Sequence, residues 1–319
     1  MKRPILFSLL AALLLALPGC TVPAKEARLT VVCTTYPIYL FASSMAEGVE
    51  GVEVERLDTG STSCLHDYTL SMSDMKKLER ADVIAVNGAG LEEFLEDALQ
   101  TSSAQIIDCS TGVELLENLS HHHEDGEEGH DHGHWDPHYW MDPANARTMA
   151  ANLGTGLSGI DPDHAAEYES NAAKTDQILL QVQESARELL DQYLPQGVSG
   201  LITFHDGFQY FARAFDLPLL ASIEEEAGSE ASAHEIVEIT ELVKEYGIPV
   251  IFTEVNGSDA TAKAISRETG CRVAQLTMIM DGPDASDPEF VRAGHYFQLY
   301  RDICSIINGF CGEGTVPNG

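Results

Sequence analysis

Histidine is the residue type whose placement in this chain points most clearly to chemistry. The chain has 12 histidines among 319 residues, and half of them fall within the segment 121–134. These six are His121, His122, His123, His130, His132 and His134. A seventh, His138, follows within the phrase DPHYWMDP. Because neutral imidazole is a good ligand for zinc and related ions, this crowding predicts metal binding.

The two parts of this histidine-rich region differ in what surrounds them. Segment 121–134 mixes histidines with glycines and acids and has no hydrophobic period, so it cannot bury a core. We expect it to form an accessory loop that binds zinc loosely, the alternative being a solvated acidic segment. His138 instead lies between Asp136-Pro137 and Asp142-Pro143, and the second pair is typical of a helix start that fixes the backbone. We therefore predict that His138 is a fixed ligand.

Two further histidines follow predicted strands. His66 comes after the second strand, in STSCLHDYTLS, and His205 ends a strand in LITFHDGFQYFA. In open α/β sheets, ligands bind beyond the carboxyl ends of the strands. We therefore expect His66 and His138 from the first half of the chain to converge with His205 from the second half in one cleft.

Short runs rich in valine and isoleucine alternate with helical stretches along the chain, which predicts parallel sheets flanked by helices. The predicted strands are residues 29–34, 52–57, 82–87, 105–108, 200–204, 217–221, 249–254 and 272–276. Beyond Asp161, the predicted N-cap, nothing breaks a helix for about 30 residues, a length of about 45 Å. The predicted fold is α/β, with an N-terminal lobe over 29–160, a rigid connecting helix over 161–195 and a C-terminal lobe over 196–313.

The chain begins with the features of a lipoprotein signal. Lys2 and Arg3 precede an apolar run that is too short to span a bilayer and ends in LPGC at Cys20. We expect residues 1–20 to be a signal peptide and Cys20 to be lipidated, with 21–28 as a tether to the outer face of the bacterial cell membrane. An ordinary secretory signal is the alternative.

The net charge and the cysteine content limit which environment and which partners are expected for the chain. The formal net charge of −33 argues against nucleic acid as a partner and raises the concentration of cations near the surface. Six cysteines remain beyond Cys20, and an exported location permits disulfides. Because three of the six lie in the last fifth of the chain, a bridge from Cys271 to Cys304 or Cys311 is expected.

Four segments together resemble the metal-binding lipoproteins that serve ABC transporters for zinc and manganese. They are CLHDYTLSMSDMKKLERADVIAVNGAGLEEFL, DPHYWMDPANA, LITFHDGFQYFARAFDLPLLASIEEEAGSEASAHEIVEI and VIFTEVNGSDATAKAISRETG. The similarity extends over residues 29–309. It implies two α/β lobes joined by one rigid helix, with a single divalent metal in the cleft between them. It also implies His66, His138 and His205 as ligands and a membrane permease as the partner that receives the metal, and it requires no more than a monomer.

The fourth ligand is where this chain departs from the family. Relatives often have an aspartate directly after the last strand, where this chain has Thr277. Asp281, four residues further on, or a water molecule is the first choice for the fourth position. Cys64 is the second choice, because a thiolate favours zinc strongly, and Glu224 is a further rival.

Zinc is the expected metal, because imidazole nitrogens suit zinc and carboxylate-rich sites suit manganese. His205 stands where manganese-type relatives commonly carry glutamate, which favours zinc as well. The alternatives are a manganese-binding counterpart, a metal-dependent adhesin and an exported zinc hydrolase. The chain has no HExxH or GxSxG motif and no evident general base beside the site, so we predict a binding protein and not an enzyme.

Overall fold

A computed structural model of the chain describes most of the two predicted lobes. The described residues are 28–59, 65, 68–118, 134–224, 231–255, 257–284 and 288–317. The lipidation site Cys20, the rival ligand Cys64, the predicted ligand His66 and the loop histidines His121, His122, His123, His130 and His132 lie outside them.

The N-terminal lobe is built on a four-stranded parallel sheet in the order β2-β1-β3-β4. Its elements are β1 Leu29–Cys33, α1 Tyr36–Met45, β2 Val52–Arg56, α2 Met72–Arg80, β3 Val83–Val86, α3 Glu96–Thr101, β4 Gln105–Asp108 and α4 Pro143–Ile160. All four residues of β3, VIAV, are buried, as expected for a parallel strand covered by helices on both faces. Asp142 caps α4 by accepting a hydrogen bond from the Ala144 N–H, which fixes the chain just beyond His138.

The C-terminal lobe repeats this plan. Its elements are β5 Leu201–His205, α6 Gln209–Ala214, β6 Leu219–Glu224, α7 Ala233–Tyr246, β7 Val250–Glu254, α8 Ala260–Thr269, β8 Arg272–Leu276 and α9 Pro288–Cys311. The sheet is parallel, in the order β6-β5-β7-β8. His205 therefore ends the strand at which the strand order reverses, and such switch points are where open α/β sheets bind ligands. All eight predicted strands are present, so the predicted fold class is confirmed.

A single long helix, α5 (Ala165–Tyr193), connects the lobes. Its buried residues recur at three- and four-residue steps and pack against α4 and α9: Tyr168, Asn171, Thr175, Leu179, Val182, Ala186 and Leu190. The helix starts later than predicted. Asp161 ends α4 and does not cap α5, because its carboxylate instead accepts hydrogen bonds from Arg28 at 2.7 Å and from the Tyr168 hydroxyl at 2.9 Å. A short 3-10 turn at Pro162–His164 precedes α5.

The largest hydrophobic core is shared by both lobes. It includes Tyr139 and Trp140 from the N-terminal lobe and Phe208, Phe211 and Met278 from the C-terminal lobe. Because apolar side chains from the two lobes are buried against each other, separation of the lobes would expose apolar surface to water. We therefore expect only limited opening of the cleft.

The expected disulfide is wrong for the cysteines that the structure describes. No disulfide joins any of the described cysteines, Cys33, Cys109, Cys271, Cys304 and Cys311. Cys271 is buried in a core of the C-terminal lobe that is separate from the shared core in which Cys304 lies, and the Cys311 thiol contacts the Tyr193 carbonyl at 3.2 Å. Within the described ranges, no helix has both the length and the apolar character needed to cross a bilayer.

Candidate metal centre

Two of the predicted ligands, His138 and His205, meet across the interface between the lobes. Their Nε2 atoms are 3.4 Å apart, and the rings lie edge to face with centroids 5.2 Å apart. An ion at about 2.05 Å from each nitrogen would subtend an N–metal–N angle of about 110°, which is the tetrahedral geometry that zinc prefers. The pair therefore fits two of the ligands of a zinc-like ion.

A buried carboxylate fixes the orientation of the His138 ring. Asp136 Oδ1 lies 2.8 Å from His138 Nδ1 and also accepts the His138 backbone N–H at 2.8 Å. Asp136 is only 1% exposed. A hydrogen bond from Nδ1–H to this carboxylate leaves the lone pair on Nε2, the nitrogen that faces His205, and such carboxylate–histidine pairs are typical of metal sites. This role of Asp136 was not predicted from the sequence, although the phrase DPH contains the signal.

The segment that carries His138 is held by hydrogen bonds on both sides. Asn87, which directly follows β3, donates from its side-chain amide to the Pro137 carbonyl at 3.1 Å and accepts the Tyr139 hydroxyl on its own carbonyl at 2.7 Å. From the other lobe, the Tyr210 hydroxyl donates to the Asp136 carbonyl at 2.9 Å. His138 is thus positioned by the end of a central strand and by a tyrosine of α6.

A second buried carboxylate, that of Glu92, contacts the backbone of Asn87. Glu92 accepts hydrogen bonds from the Thr34 hydroxyl at 2.6 Å, from the Asn87 N–H at 2.6 Å and from the Gly88 N–H at 2.9 Å. Burial raises the pKa of Glu92 to about 7, although these three hydrogen bonds act in the opposite direction. Glu92 therefore fixes the turn after β3 on which the His138 segment rests.

His205 is presented by the end of β5 and by a glycine close to it. The residue is 5% exposed. A Cβ atom at Gly207 would overlap Met278 Sδ and would lie 2.9 Å from His205 Cδ2 and 3.2 Å from His138 Cδ2. Only glycine permits this close approach, so Gly207 is required for the two imidazoles and Met278 to meet.

Asp281, the first choice for the fourth ligand, lies in an interlobe ion pair. Its Oδ1 is 3.1 Å from the Arg56 guanidinium and accepts the Gly282 N–H at 2.8 Å, and its side chain is 46% exposed. Among the described residues, no group of three or more His, Cys, Asp and Glu side chains is placed to hold a metal. The structure brings His138 and His205 together, and the role of every predicted residue as a metal ligand stays a prediction.

Residues 281–284 of the C-terminal lobe, called the strap below, contact Arg56 on the N-terminal lobe. The guanidinium donates to the Gly282 carbonyl at 3.0 Å and lies 3.5 Å from the Asp284 carboxylate. It is placed over the rings of Tyr36 and Tyr39, at 4.9 and 5.6 Å from their centroids. The Tyr36 hydroxyl donates to the carbonyl of Pro283 at 3.1 Å.

The two ends of the predicted histidine-rich loop lie side by side. Glu117 and Trp135 form an antiparallel bridge, the Asn118 N–H donates to the His134 carbonyl at 3.2 Å, and the Asp136 N–H donates to the Leu116 carbonyl at 2.8 Å. The loop is therefore joined to the chain directly before Asp136, which orients His138.

The architecture is that of the two-lobed α/β solute-binding proteins, with His138 and His205 meeting between the lobes. The profile of the family described as zinc-uptake complex component A, periplasmic, matches residues 31–308, and the chain belongs to this family. The family comprises solute-binding components of ABC uptake systems, located outside the cytoplasm, and not enzymes, so both the resemblance and the expectation of a non-enzyme are confirmed.

Curated relatives agree with this assignment. The chain is 29% identical over 309 residues to the zinc-binding protein AdcA of Streptococcus pyogenes, covering 92% of this chain and 58% of the relative. It is 27% identical over 302 residues to the high-affinity zinc uptake system protein ZnuA of Brucella abortus, covering 82% and 88%. The chain thus spans little more than half the length of its streptococcal relative.

Solved structures share the fold. A crystal structure of ZnuA superposes with a TM-score of 0.73 at 24% identity, covering 88% of this chain and 98% of that one. FpvC of Pseudomonas aeruginosa, solved in complex with Mn²⁺, gives 0.74 at 22% identity, covering 91% and 100%. The laminin-binding protein Lmb of Streptococcus agalactiae, titled a bifunctional protein with adhesin and metal-transporting activity, gives 0.71 at 24% identity, covering 86% and 99%. At these identities the likeness concerns the fold alone.

Proposed function

We propose that this protein captures Zn²⁺ outside the cell, holds it in the cleft between its lobes and delivers it to the membrane permease of an ABC transporter. The observation that carries the proposal is the approach of His138 Nε2 and His205 Nε2 to 3.4 Å from opposite lobes. The zinc-uptake family and the zinc-binding relatives from two bacteria support it.

Capture and release follow from the placement of the two donors on different lobes. With the lobes together, both imidazoles reach one ion, and Asp136 keeps the His138 lone pair directed at it. When the lobes separate, the ion loses one of the two nitrogens at once, so a small opening weakens binding strongly. Protons compete with the metal for imidazole nitrogen, so acidification promotes release as well.

The remaining ligands belong to the same proposal. His66 is the third ligand, and Asp281 or a water molecule is the fourth, with Cys64 as the rival. Asp281 Oδ1 is paired with Arg56 at 3.1 Å, so Asp281 would bind the metal through Oδ2 or would exchange Arg56 for the metal. A set dominated by imidazole favours zinc over manganese.

The location is proposed from the N-terminal sequence and from named relatives. A lipid anchor at Cys20 would hold the protein on the outer face of the membrane, where the permease accepts the metal. The pneumococcal relative, 29% identical over 278 residues, carries the name zinc-binding lipoprotein AdcA. Segment 121–134 then acts as an accessory zinc loop at the cleft mouth.

Zinc stoichiometry and affinity test the site. We expect one tightly bound Zn²⁺ per chain in competition with a chelator, and a fall in affinity of more than about 100-fold in the double variant His138→Ala, His205→Ala. Asp136→Asn should weaken binding by about 10–100-fold, as for other residues that orient a ligand. Deletion of 121–134 should leave the tight site intact.

A double variant of two histidines outside the site is the matched control. His164 lies in the turn before α5, and His234 is 80% exposed on α7. His164→Ala, His234→Ala should therefore bind zinc as the unmodified protein does. Tight binding that survives the His138 and His205 changes and disappears with segment 121–134 would place the site in the loop and refute the proposal.

A further inference from the structure

We propose that Met278 is a specificity-determining residue of the metal centre. Its thioether faces the ion that His138 and His205 hold, and it tunes the site toward soft, closed-shell ions, with Cu⁺ affected most, and away from hard ions such as Mn²⁺. This inference rests on the proposed function, because it concerns the same site, and it adds a sulfur to a donor set of nitrogen and oxygen.

The position of the sulfur follows from the space around Gly207. A Cβ atom on that residue would overlap Met278 Sδ and would come within 3.2 Å of Cδ2 in both histidine rings. In each ring, Cδ2 is bonded to Nε2, the atom that faces the other histidine. The sulfur is therefore no more than about 6 Å from either ring edge, the range in which methionine sulfur contacts aromatic edges.

The backbone around Met278 is fixed from three directions. The buried carboxylate of Asp302 accepts the Thr277 N–H at 2.9 Å, and the Thr277 hydroxyl accepts the Ile279 N–H at 3.1 Å. The indole N–H of Trp140, from the other lobe, donates to the Met278 carbonyl at 2.8 Å. Met278 itself is only 1% exposed, so its side chain is buried beside the two histidine rings.

The chain turns sharply just after Met278 at a conformational cost. Ile279 adopts φ of 61°, a left-handed conformation that is unfavourable for a β-branched residue. Such strain persists only where surrounding contacts enforce it, and it concentrates at ligand sites. Here the contacts that enforce it are those that hold Met278 beside the imidazoles.

Thioether chemistry determines what this placement does. A thioether is neutral and soft, so it favours Cu⁺ strongly, adds little for Zn²⁺ and offers nothing to Mn²⁺. Its bulk also keeps water, a hard ligand, away from that side of the ion. The result is a preference among metals that histidine content alone does not give.

The test compares two methionines in the full chain, purified in detergent. Met278→Leu keeps the volume and removes the sulfur. Met280→Leu is the matched control, since Met280 is also buried, at 5% exposure, two residues further along. Affinities for Zn²⁺, Mn²⁺ and Cu⁺ are measured by chelator competition, under argon for Cu⁺.

We expect Met278→Leu to weaken Cu⁺ binding by about tenfold or more while Zn²⁺ and Mn²⁺ change by less than about threefold. Met280→Leu should match the unmodified protein for all three ions. X-ray absorption of the Cu⁺ form, with selenomethionine in place of methionine, should show a selenium neighbour of copper. Selenium distinguishes a methionine ligand from a cysteine ligand, and retention of the selenium neighbour in Met280→Leu excludes the nearby Met280, even if Met278→Leu folds poorly.

Three results would overturn the inference. Copper without a selenium neighbour would mean that the thioether does not face the ion. A Met278→Leu protein with unchanged Cu⁺ affinity would mean the same, and equal weakening for all three ions would assign Met278 a packing role only. Failure of the proposed function differs from failure of this inference. If the proposed function is wrong, the His138→Ala, His205→Ala protein keeps its tightly bound zinc.

Discussion

The two lobes are joined differently on the two edges of the metal centre. On the anchored edge, residues Asn87, Glu92, Asp136–Trp140 and Tyr210 are linked through buried hydrogen bonds. On the strap edge, Arg56 and Tyr36 hold residues 281–284, where the acidic partners Asp281 and Asp284 are 46% and 82% exposed. One edge depends on buried polar groups and the other on solvated charges.

The difference in burial determines which edge opens more easily. A buried polar group that loses its partner is left unsatisfied at a cost of about 1–3 kcal/mol, whereas an exposed ion pair contributes about 0–1 kcal/mol and is screened by salt. We therefore expect the cleft to open at the strap edge while the anchored edge acts as the hinge.

The largest effect should come from Glu92, at the base of the anchored edge. Its pKa is about 7 in the folded protein and 4.5 as the ordinary value, so between these pH values the folded state binds more protons than the unfolded state. Stability should therefore fall as pH rises, by about 3 kcal/mol in total from pH 4.5 to above pH 7. Urea unfolding at a series of pH values measures it.

Two variants isolate this contribution of Glu92. In Glu92→Gln, the pH-dependent loss of stability over that window should be smaller by about 3 kcal/mol. Glu93→Gln changes the adjacent, exposed glutamate and should keep the pH profile of the unmodified protein. If Glu92→Gln and the unmodified protein share one profile, the buried carboxylate does not hold its proton and this part of the anchored edge is misassigned.

The next effect concerns Tyr210, which joins the lobes on the anchored edge. Its hydroxyl accepts the Leu116 N–H at 2.8 Å and donates to the Asp136 carbonyl at 2.9 Å. Tyr210→Phe leaves both backbone groups without this partner, so we expect a loss of about 2 kcal/mol in the free energy of unfolding. Zinc affinity should fall as well, because Asp136 orients His138.

The control for Tyr210 is Tyr193→Phe, which removes the hydroxyl of a tyrosine that is 37% exposed at the end of α5. This change should alter stability by less than about 0.5 kcal/mol. If both substitutions lowered the free energy of unfolding equally, the buried hydrogen bonds of Tyr210 between the lobes would not contribute to stability beyond an exposed hydroxyl.

The contrast between the edges also separates what the sequence predicts from what it does not. Short apolar runs predicted every strand. In the central strands β3, β5 and β7 every residue is buried, as expected for parallel strands covered on both faces. The approach of His138 to His205 was predicted from their local phrases, since proline pairs and strand ends restrict the backbone within a few residues. These features depend on near neighbours in the chain.

The remainder depends on contacts between distant residues. Gly207 lies against both histidine rings and Met278, although His138 precedes it and Met278 follows it by about 70 residues each. Nothing in the local phrase LTMIMDG predicts this contact. The Arg56–Asp281 pair joins residues from different lobes in the same way. The disulfide prediction failed for a related reason, because spacing along the chain does not reveal that Cys271 and Cys304 belong to separate cores.

The smallest effect on stability should come from Arg56, and it tests whether the strap edge is the one that opens. Arg56→Gln removes the charge shared with Asp281 and Asp284, so we expect a stability loss below about 1 kcal/mol but faster zinc dissociation. Because salt screens the same pairs, the zinc off-rate of the unmodified protein should rise between low salt and 1 M sodium chloride, where the screening length is about 3 Å. In Arg56→Gln the off-rate should be insensitive to salt.

Arg80→Gln is the appropriate comparison, because Arg80 forms an exposed ion pair with Glu55 at 2.8 Å entirely within the N-terminal lobe. Arg80→Gln removes a charge of the same kind from the same lobe, at the end of α2, without touching the interface between the lobes. Its zinc off-rate should therefore keep the salt dependence of the unmodified protein. If Arg56→Gln kept that dependence too, the charges of the strap would not control release, and the opening motion would have to be sought on the anchored edge, at Tyr210.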